Sequence, residues 1–161
     1  MSEEQKYYDR KRPAHQSLAE RFNAPRIIFL TVCTEKRKPI LCSDGVHELL
    51  VQSWEEADSW VVGRYILMPD HVHLFCSPVG LEYPSLKTWV GFWKSLSARQ
   101  WPDPTVGKIW QRDFWDTQLR KGDGYTEKWN YVVKNPVRAE LVDDSVQWPY
   151  QGEICALQWH N

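Results

Sequence analysis

An α+β fold, an antiparallel sheet with two helices packed on one face, is predicted by three observations on this sequence. Apolar runs of strand length alternate with segments of helical period in the order strand, helix, strand, strand, helix, strand. Two of the strand-like runs are separated only by Pro69-Asp70, which makes them a hairpin. After the hairpin, Leu86, Trp89, Val90, Trp93 and Leu96 follow the 3.6-residue period of a second amphipathic helix. The order matches the ferredoxin-like βαββαβ plan with added C-terminal helices.

Each element has its own signal. Ile27 to Thr34 is rich in β-branched and aromatic residues and reads as a buried first strand, followed by the cationic loop Lys36-Arg37-Lys38-Pro39. Ser43-Asp44 caps a helix whose stripe is Val46, Leu49, Leu50 and Trp54, ending near Ala57-Asp58. Trp60–Met68 and His71–Ser77 form the hairpin. Pro84 opens a second helix with Leu86, Trp89, Val90, Trp93 and Leu96 on one side, stopped by Pro102 and Pro104. Ile109 to Leu119 is expected as the fourth strand, Tyr125 to Lys134 as a third helix ended by Asn135-Pro136, and Val137 to Val142 as a further helical turn. Residues 1–25 are charged and Pro-interrupted and read as an irregular basic arm, leaving 26–161 as a single domain.

Composition narrows the function. A length of 161 residues with 42% hydrophobic side chains gives one domain with a real core. Twenty Lys and Arg against 21 Asp and Glu leave a formal charge of -1, so any polyanion site is a local patch. The apolar runs fall well short of the ~20 residues of a membrane span, and the charged start is unlike a signal peptide, so a cytoplasmic protein is expected. Cys33, Cys42, Cys76 and Cys155 show no C-x-x-C spacing and read as reduced thiols, two of them in the core. The ten Trp, seven Tyr and five Phe are expected mainly in the core; any that reach the surface offer stacking faces for single-stranded nucleic acid.

Chemistry concentrates in two places. His71 and His73 lie two apart in a strand, so both imidazoles point to one face, about 7 Å apart along the chain, while Val72, Leu74 and Cys76 take the other. Two imidazoles on one face can share an ion but do not hold it alone, and half-exposed polar residues of a sheet give the same pattern. In the third helix the apolar stripe is Tyr125, Trp129, Val132 and Val133. Tyr131 falls on the opposite side, with Asn135 one turn later on that same side. A hydroxyl and an amide oxygen one turn apart can present a nucleophile and a metal ligand to one spot; a surface Tyr and a helix-ending Asn are the plainer alternative.

Three segments carry a family resemblance. Met68-Pro69-Asp70-His71-Val72-His73-Leu74 resembles the M-P-x-H-V-H-L strand of the HUH superfamily. Tyr131-Val132-Val133-Lys134-Asn135-Pro136-Val137-Arg138-Ala139 resembles the Y-I-x-x-N-P-V-R-A segment of the REP-associated tyrosine transposases, and Ile109 to Asp116 is similar to that group's W-Q-x-x-F/Y strand. The motifs occur in the family's order over roughly residues 25–150. The resemblance implies a single-strand DNA endonuclease and strand transferase in which a tyrosine hydroxyl attacks a backbone phosphate and forms a 5′-phosphotyrosine. It assigns Tyr131 as nucleophile and His71, His73 and Asn135 as ligands of Mg²⁺ or Mn²⁺. Asn135 stands where related single-tyrosine transposases carry Gln, and Glu140 where the family usually has Gly. Tyr125 is a rival nucleophile that belongs to the apolar stripe.

The implied partners are single-stranded DNA and DNA hairpins, bound by a monomer or a homodimer. Lys87, Gly91, Lys94, Ser95 and Ala98 form a small, cationic helix face that suits a phosphate backbone or is merely solvated. Arg112, Arg120, Lys121, Lys128, Lys134 and Arg138 are further expected phosphate contacts, and Arg10-Lys11-Arg12 and Lys36-Arg37-Lys38 are read as grips on flanking duplex. Two other functions compete: a hairpin-binding protein that no longer cuts, and a metal-dependent nuclease that uses water in place of Tyr131.

Overall fold

The computed structural model describes residues 26–120 and 124–157. The expected N-terminal arm, with Arg10, Lys11 and Arg12, and Lys121 lie outside the described residues. Strands β1 (Ile27–Cys33), β2 (Trp60–Met68), β3 (His71–Pro78), β4 (Trp115–Leu119) and β5 (Gln151–Glu153) form one antiparallel sheet in the order β4-β1-β3-β2-β5. Helices α1 (Asp44–Glu56) and α2 (Leu86–Arg99) complete the βαββαβ plan. Ser43 and Ser85 cap them, each hydroxyl accepting from the backbone N–H three residues on.

Strand β3 is paired on both sides, and its alternation divides the molecule. Val72, Leu74 and Cys76 join Leu30, Val32, Val62 and Leu67 in a core covered by Trp54 of α1 and Trp89, Val90 and Trp93 of α2. His71, His73 and Phe75 face the other way, where Ile27, Phe29, Ile66, Phe75 and Leu119 meet Val132 of helix α3 (Tyr125–Val132) and Trp148. The aromatic excess is therefore mostly core. Four of the indole N–H groups are satisfied by backbone or hydroxyl acceptors: Trp60 by Pro84 O, Trp89 by Ala57 O, Trp110 by Ser97 Oγ and Trp148 by Leu67 O. Cys33 and Cys76 are buried and all four thiols are free. Among the described residues no helix is long and apolar enough to cross a membrane.

Three elements differ from the sequence expectation. The sequence places the start of the fourth strand at Ile109, but β4 begins at Trp115. Thr34 bridges Trp110 while Thr31 pairs with Trp115, so three steps on β1 face five on the other chain segment, and residues 111–114 leave the ladder. Buried Ile109 and Trp110 anchor that strap, and Lys94 Nζ donates to the carbonyl of Gln111 at 2.8 Å. Second, the third helix stops at Val132, and Asn135 does not end it; Asn135 opens a short helix α4 (Asn135–Arg138) with Pro136 where no N–H is needed. Third, β5 has no counterpart in the sequence expectation, because three residues carry no readable alternation.

Helix α4 ends in a Schellman turn, Glu140 N–H donating to Val137 O and Leu141 N–H to Pro136 O. That turn places Glu140 at φ 60°, a left-handed conformation that glycine adopts freely and other residues do not. Glu140→Gly is expected to stabilise the fold by about 0.5–1 kcal/mol, read as a raised urea midpoint with unchanged slope; a loss of stability would show that the side chain itself holds the turn.

Candidate functional site

The site is built on β3 and the α3–α4 segment. Because His71 and His73 alternate with core residues, both rings lie on the α3 side of the sheet, with centroids 4.7 Å apart and planes at 76°. Both residues are only 4% exposed, so they are not half-exposed polar side chains of a sheet. His73 Nδ1 lies 2.8 Å from the hydroxyl of Thr31, its cross-strand partner, and its ring stacks on Phe29. His71 Nδ1 lies 2.8 Å from Asp70 Oδ1. A carboxylate only accepts, so Nδ1 carries the proton and the lone pair of the neutral ring sits on Nε2.

A cation holds that carboxylate in turn. Arg37 Nε donates to Asp70 Oδ2 at 2.9 Å, from a 3-10 turn (Glu35–Arg37) in which Lys36 and Arg37 both have φ 54°. Burial alone would raise Asp70, but the hydrogen bonds from His71 and Arg37 outweigh it and hold the carboxyl well below its usual range. His71 Nε2 is buried with no hydrogen-bond partner. An orphaned imidazole nitrogen whose other nitrogen is fixed by a carboxylate is the arrangement metal-binding histidines show.

On α3 and α4, Tyr131, Asn135 and Arg138 stand at i, i+4 and i+7. The Arg138 guanidinium lies 4.2 Å over the Tyr131 ring, donates to Tyr131 O at 2.7 Å, and donates to Asn135 Oδ1. Its charge also reaches His73, whose pKa is depressed first by burial and then by the charges of His71, Arg37 and Arg138. Arg138 therefore lies within electrostatic range of the sheet histidines. Asn135 is 4% exposed, whereas Tyr131 is 38% exposed and open to solvent.

These donors fit a divalent ion. Two imidazoles and an amide oxygen suit Mn²⁺ on ligand softness and accept Mg²⁺, and the amide oxygen keeps a second lone pair beside the one that Arg138 uses. Among the described residues no group of three His, Cys, Asp or Glu side chains converges.

The rival tyrosine is committed elsewhere. Tyr125 Oη accepts from the backbone N–H of Arg64 at 2.8 Å, its ring packs 4.6 Å from Phe75, and burial pushes its pKa up to about 12. It also fills the space above Gly63 at a register shift in β2, where any Cβ would come within 2.6 Å of its hydroxyl.

The basic residues separate into groups. Arg112, Arg120 and Lys134 are exposed, and Lys128 is half-buried with its ammonium pKa lowered by desolvation. Lys87 and Lys94 belong to α2, the helix layer on the sheet's other face. Lys94 braces the 111–114 strap rather than presenting a free cation, and burial lowers it to about 8. Sequence reasoning missed Arg37, Asp70 and Thr31 as supports of the histidines, and it placed Arg138 only among phosphate contacts. The i+7 spacing from Tyr131 was the available signal for Arg138.

No protein-family model matches the chain. A Haemophilus influenzae protein that carries a REP-associated tyrosine transposase name is 25% identical over 144 residues, covering 80% of each chain. The chain is thus similar in sequence to proteins named REP-associated tyrosine transposases. The REP-associated tyrosine transposase of Escherichia coli is 26% identical over 96 residues, 59% of this chain and 52% of that one. The solved structure of a REP-associated tyrosine transposase bound to a REP hairpin superimposes with a TM-score of 0.62 at 19% identity, over 78% of this chain and 74% of the other. A transposase-named crystal structure from Deinococcus radiodurans gives a TM-score of 0.50 at 18% identity, over 76% and 95%. The fold is thus shared at low sequence identity.

Two outcomes are expected from this geometry. Tyr125→Phe leaves the Arg64 N–H without its acceptor and is expected to cost about 1–2 kcal/mol of stability in urea titration. The second outcome concerns pH. His73 and His47, the latter lowered mainly by burial, have folded pKa values below their ordinary 6.5. Below that pH the unfolded chain binds protons that the native state refuses, so stability is full above about 6.5 and falls as the pH drops. The metal-free protein should have a lower urea midpoint at about pH 5.5 than at about pH 7.5, with a smaller difference in His47→Gln; equal midpoints would contradict the lowering of these two imidazoles by desolvation.

Proposed function

We propose that the chain is a metal-dependent single-strand DNA endonuclease and strand transferase that works beside DNA hairpins, with Tyr131 as its nucleophile. The observation that carries this reading is the row Tyr131, Asn135, Arg138 set against two buried imidazoles, one of which has an unpartnered Nε2. The relatives support it by name, and the solved structure that shares the fold holds a hairpin.

Tyr131 is exposed while His71 and His73 are buried, so a DNA strand can reach the phenol hydroxyl while the histidines stay dry. In the step proposed, the Tyr131 oxygen bonds to a backbone phosphorus as the bond from phosphorus to the 3′ oxygen breaks. The phenolic proton passes to solvent, and the departing 3′ oxygen takes up a proton to become a 3′-OH. The DNA's 5′ phosphate is then esterified to Tyr131, and attack by a 3′-OH on that ester reverses the step without an external energy source. Arg138, stacked on the attacking ring, brings a cation to the phosphate that the ring meets. His71, His73 and Asn135 would hold Mg²⁺ or Mn²⁺, which supplies Lewis-acid polarisation of the phosphate when bound.

Labelled hairpin oligonucleotides with single-stranded extensions, taken from the sequence flanking the gene, test this on a denaturing gel. A protein–DNA adduct is expected with wild type and Mn²⁺, and is expected to vanish in Tyr131→Phe and on chelation of the metal. Retarded DNA on a native gel with no adduct for the wild type would establish instead a hairpin-binding protein that does not cut. Cleavage that survives Tyr131→Phe would move the nucleophile to water.

A further inference from the structure

Trp115 is the one tryptophan among the described residues whose side chain is exposed, at 38%. A single exposed aromatic means little by itself. Its register gives it meaning. Trp115 pairs with Thr31 on β1, and Thr31 pairs with His73 on β3. Directly paired residues on neighbouring strands share a face, so the indole stands on the histidine side of the sheet. The same row of β4 confirms that side, since Leu119 and Thr117 pair with Ile27 and Phe29, which pack beneath α3. Two strand spacings put Trp115 about 10 Å from His73, a span that one or two nucleotides of extended single strand cover. β4 is also the last strand of the sheet on that side, with exposed Arg112 and Arg120 flanking it in the chain.

We infer that Trp115 is a base-stacking platform for a nucleotide of the single-stranded DNA next to the phosphate that Tyr131 attacks. This rests on the functional reading above and adds a binding subsite to it. Stacking is indifferent to base identity, so the platform holds and orients the single strand rather than reading its sequence. The backbone passing from Trp115 toward the histidines would run between exposed cations on the strap and on α4. The occupant is single-stranded DNA and not the duplex stem, because paired bases offer no free face to an indole at a sheet edge.

The test compares two fluorescent DNAs, a hairpin with a single-stranded extension carrying 2-aminopurine and the same hairpin without the extension. Wild type is expected to bind the extended hairpin more tightly and to quench the 2-aminopurine. Trp115→Ala should weaken binding of the extended hairpin by about 5- to 100-fold and abolish the quench, leaving the plain hairpin unchanged. Trp115→Phe, which keeps an aromatic face, should recover most of the affinity, and matching thermal melts show that the fold is intact. Trp115→Ala binding the extended hairpin as wild type does overturns the platform while leaving the endonuclease reading standing. A wild type that binds neither DNA overturns that reading and the platform with it. An equal loss on both DNAs assigns Trp115 to the stem and overturns the subsite as stated.

Discussion

The whole arrangement depends on the alternation of one strand. β3 is hydrogen-bonded on both sides, so its side chains have no freedom to choose a face. With Val72, Leu74 and Cys76 locked into the Trp-rich layer beneath α1 and α2, His71 and His73 are forced to the other surface. A one-residue slip would place the imidazoles among indoles and pull the aliphatic set out of that core, which burial resists at up to about 1.5–3 kcal/mol for each large side chain. The position of the site is thus set by the hydrophobic core rather than by the polar residues that form it.

Polar groups then fix orientation. Thr31 and Asp70 each meet the Nδ1 side of one histidine, and Arg37 holds Asp70 in place. This leaves His71 Nε2 as a candidate ligand, and Arg37 reaches Asp70 from a loop in which Lys36 and Arg37 are both left-handed. The helical half works differently. Arg138 touches both Tyr131 and Asn135 across a helix that nearly continues through Val133 and Lys134, held by bonds from Val133 N–H to Trp129 O and from Arg138 N–H to Lys134 O.

Much of this is legible in the sequence, for physical reasons that differ by element. The βαββαβ order, both helix caps and the hairpin can be read because their signals are local: a stripe, a Ser before it, a two-residue turn. The face of His71 and His73 can be read because period two is rigid. The start of β4 cannot, since Ile109 and Trp110 are as strand-like as Trp115, and only the tertiary strap tied down by Lys94 and Cys33 O reveals the break. The same strap removes Lys94 from the expected phosphate contacts. Tyr125 and Tyr131 can be ranked by helical phase alone, and the Arg64 N–H gives that ranking a structural cause. The role of Arg37 leaves no trace in sequence, because its partner Asp70 lies 33 positions away.

The helical row carries an evolutionary consequence. Its three members are registered by turns of one nearly unbroken helix, so each residue inserted or deleted between Tyr131 and Arg138 would rotate the downstream side chains by about 100°. Substitutions along that stretch can be absorbed one at a time, but a change of length cannot. Length drift in descendants of this chain should therefore collect in loops such as Val79 to Tyr83, where Leu81 is exposed and no site residue depends on the spacing. The separation from Tyr131 to Arg138 should stay constant for as long as the site is in use.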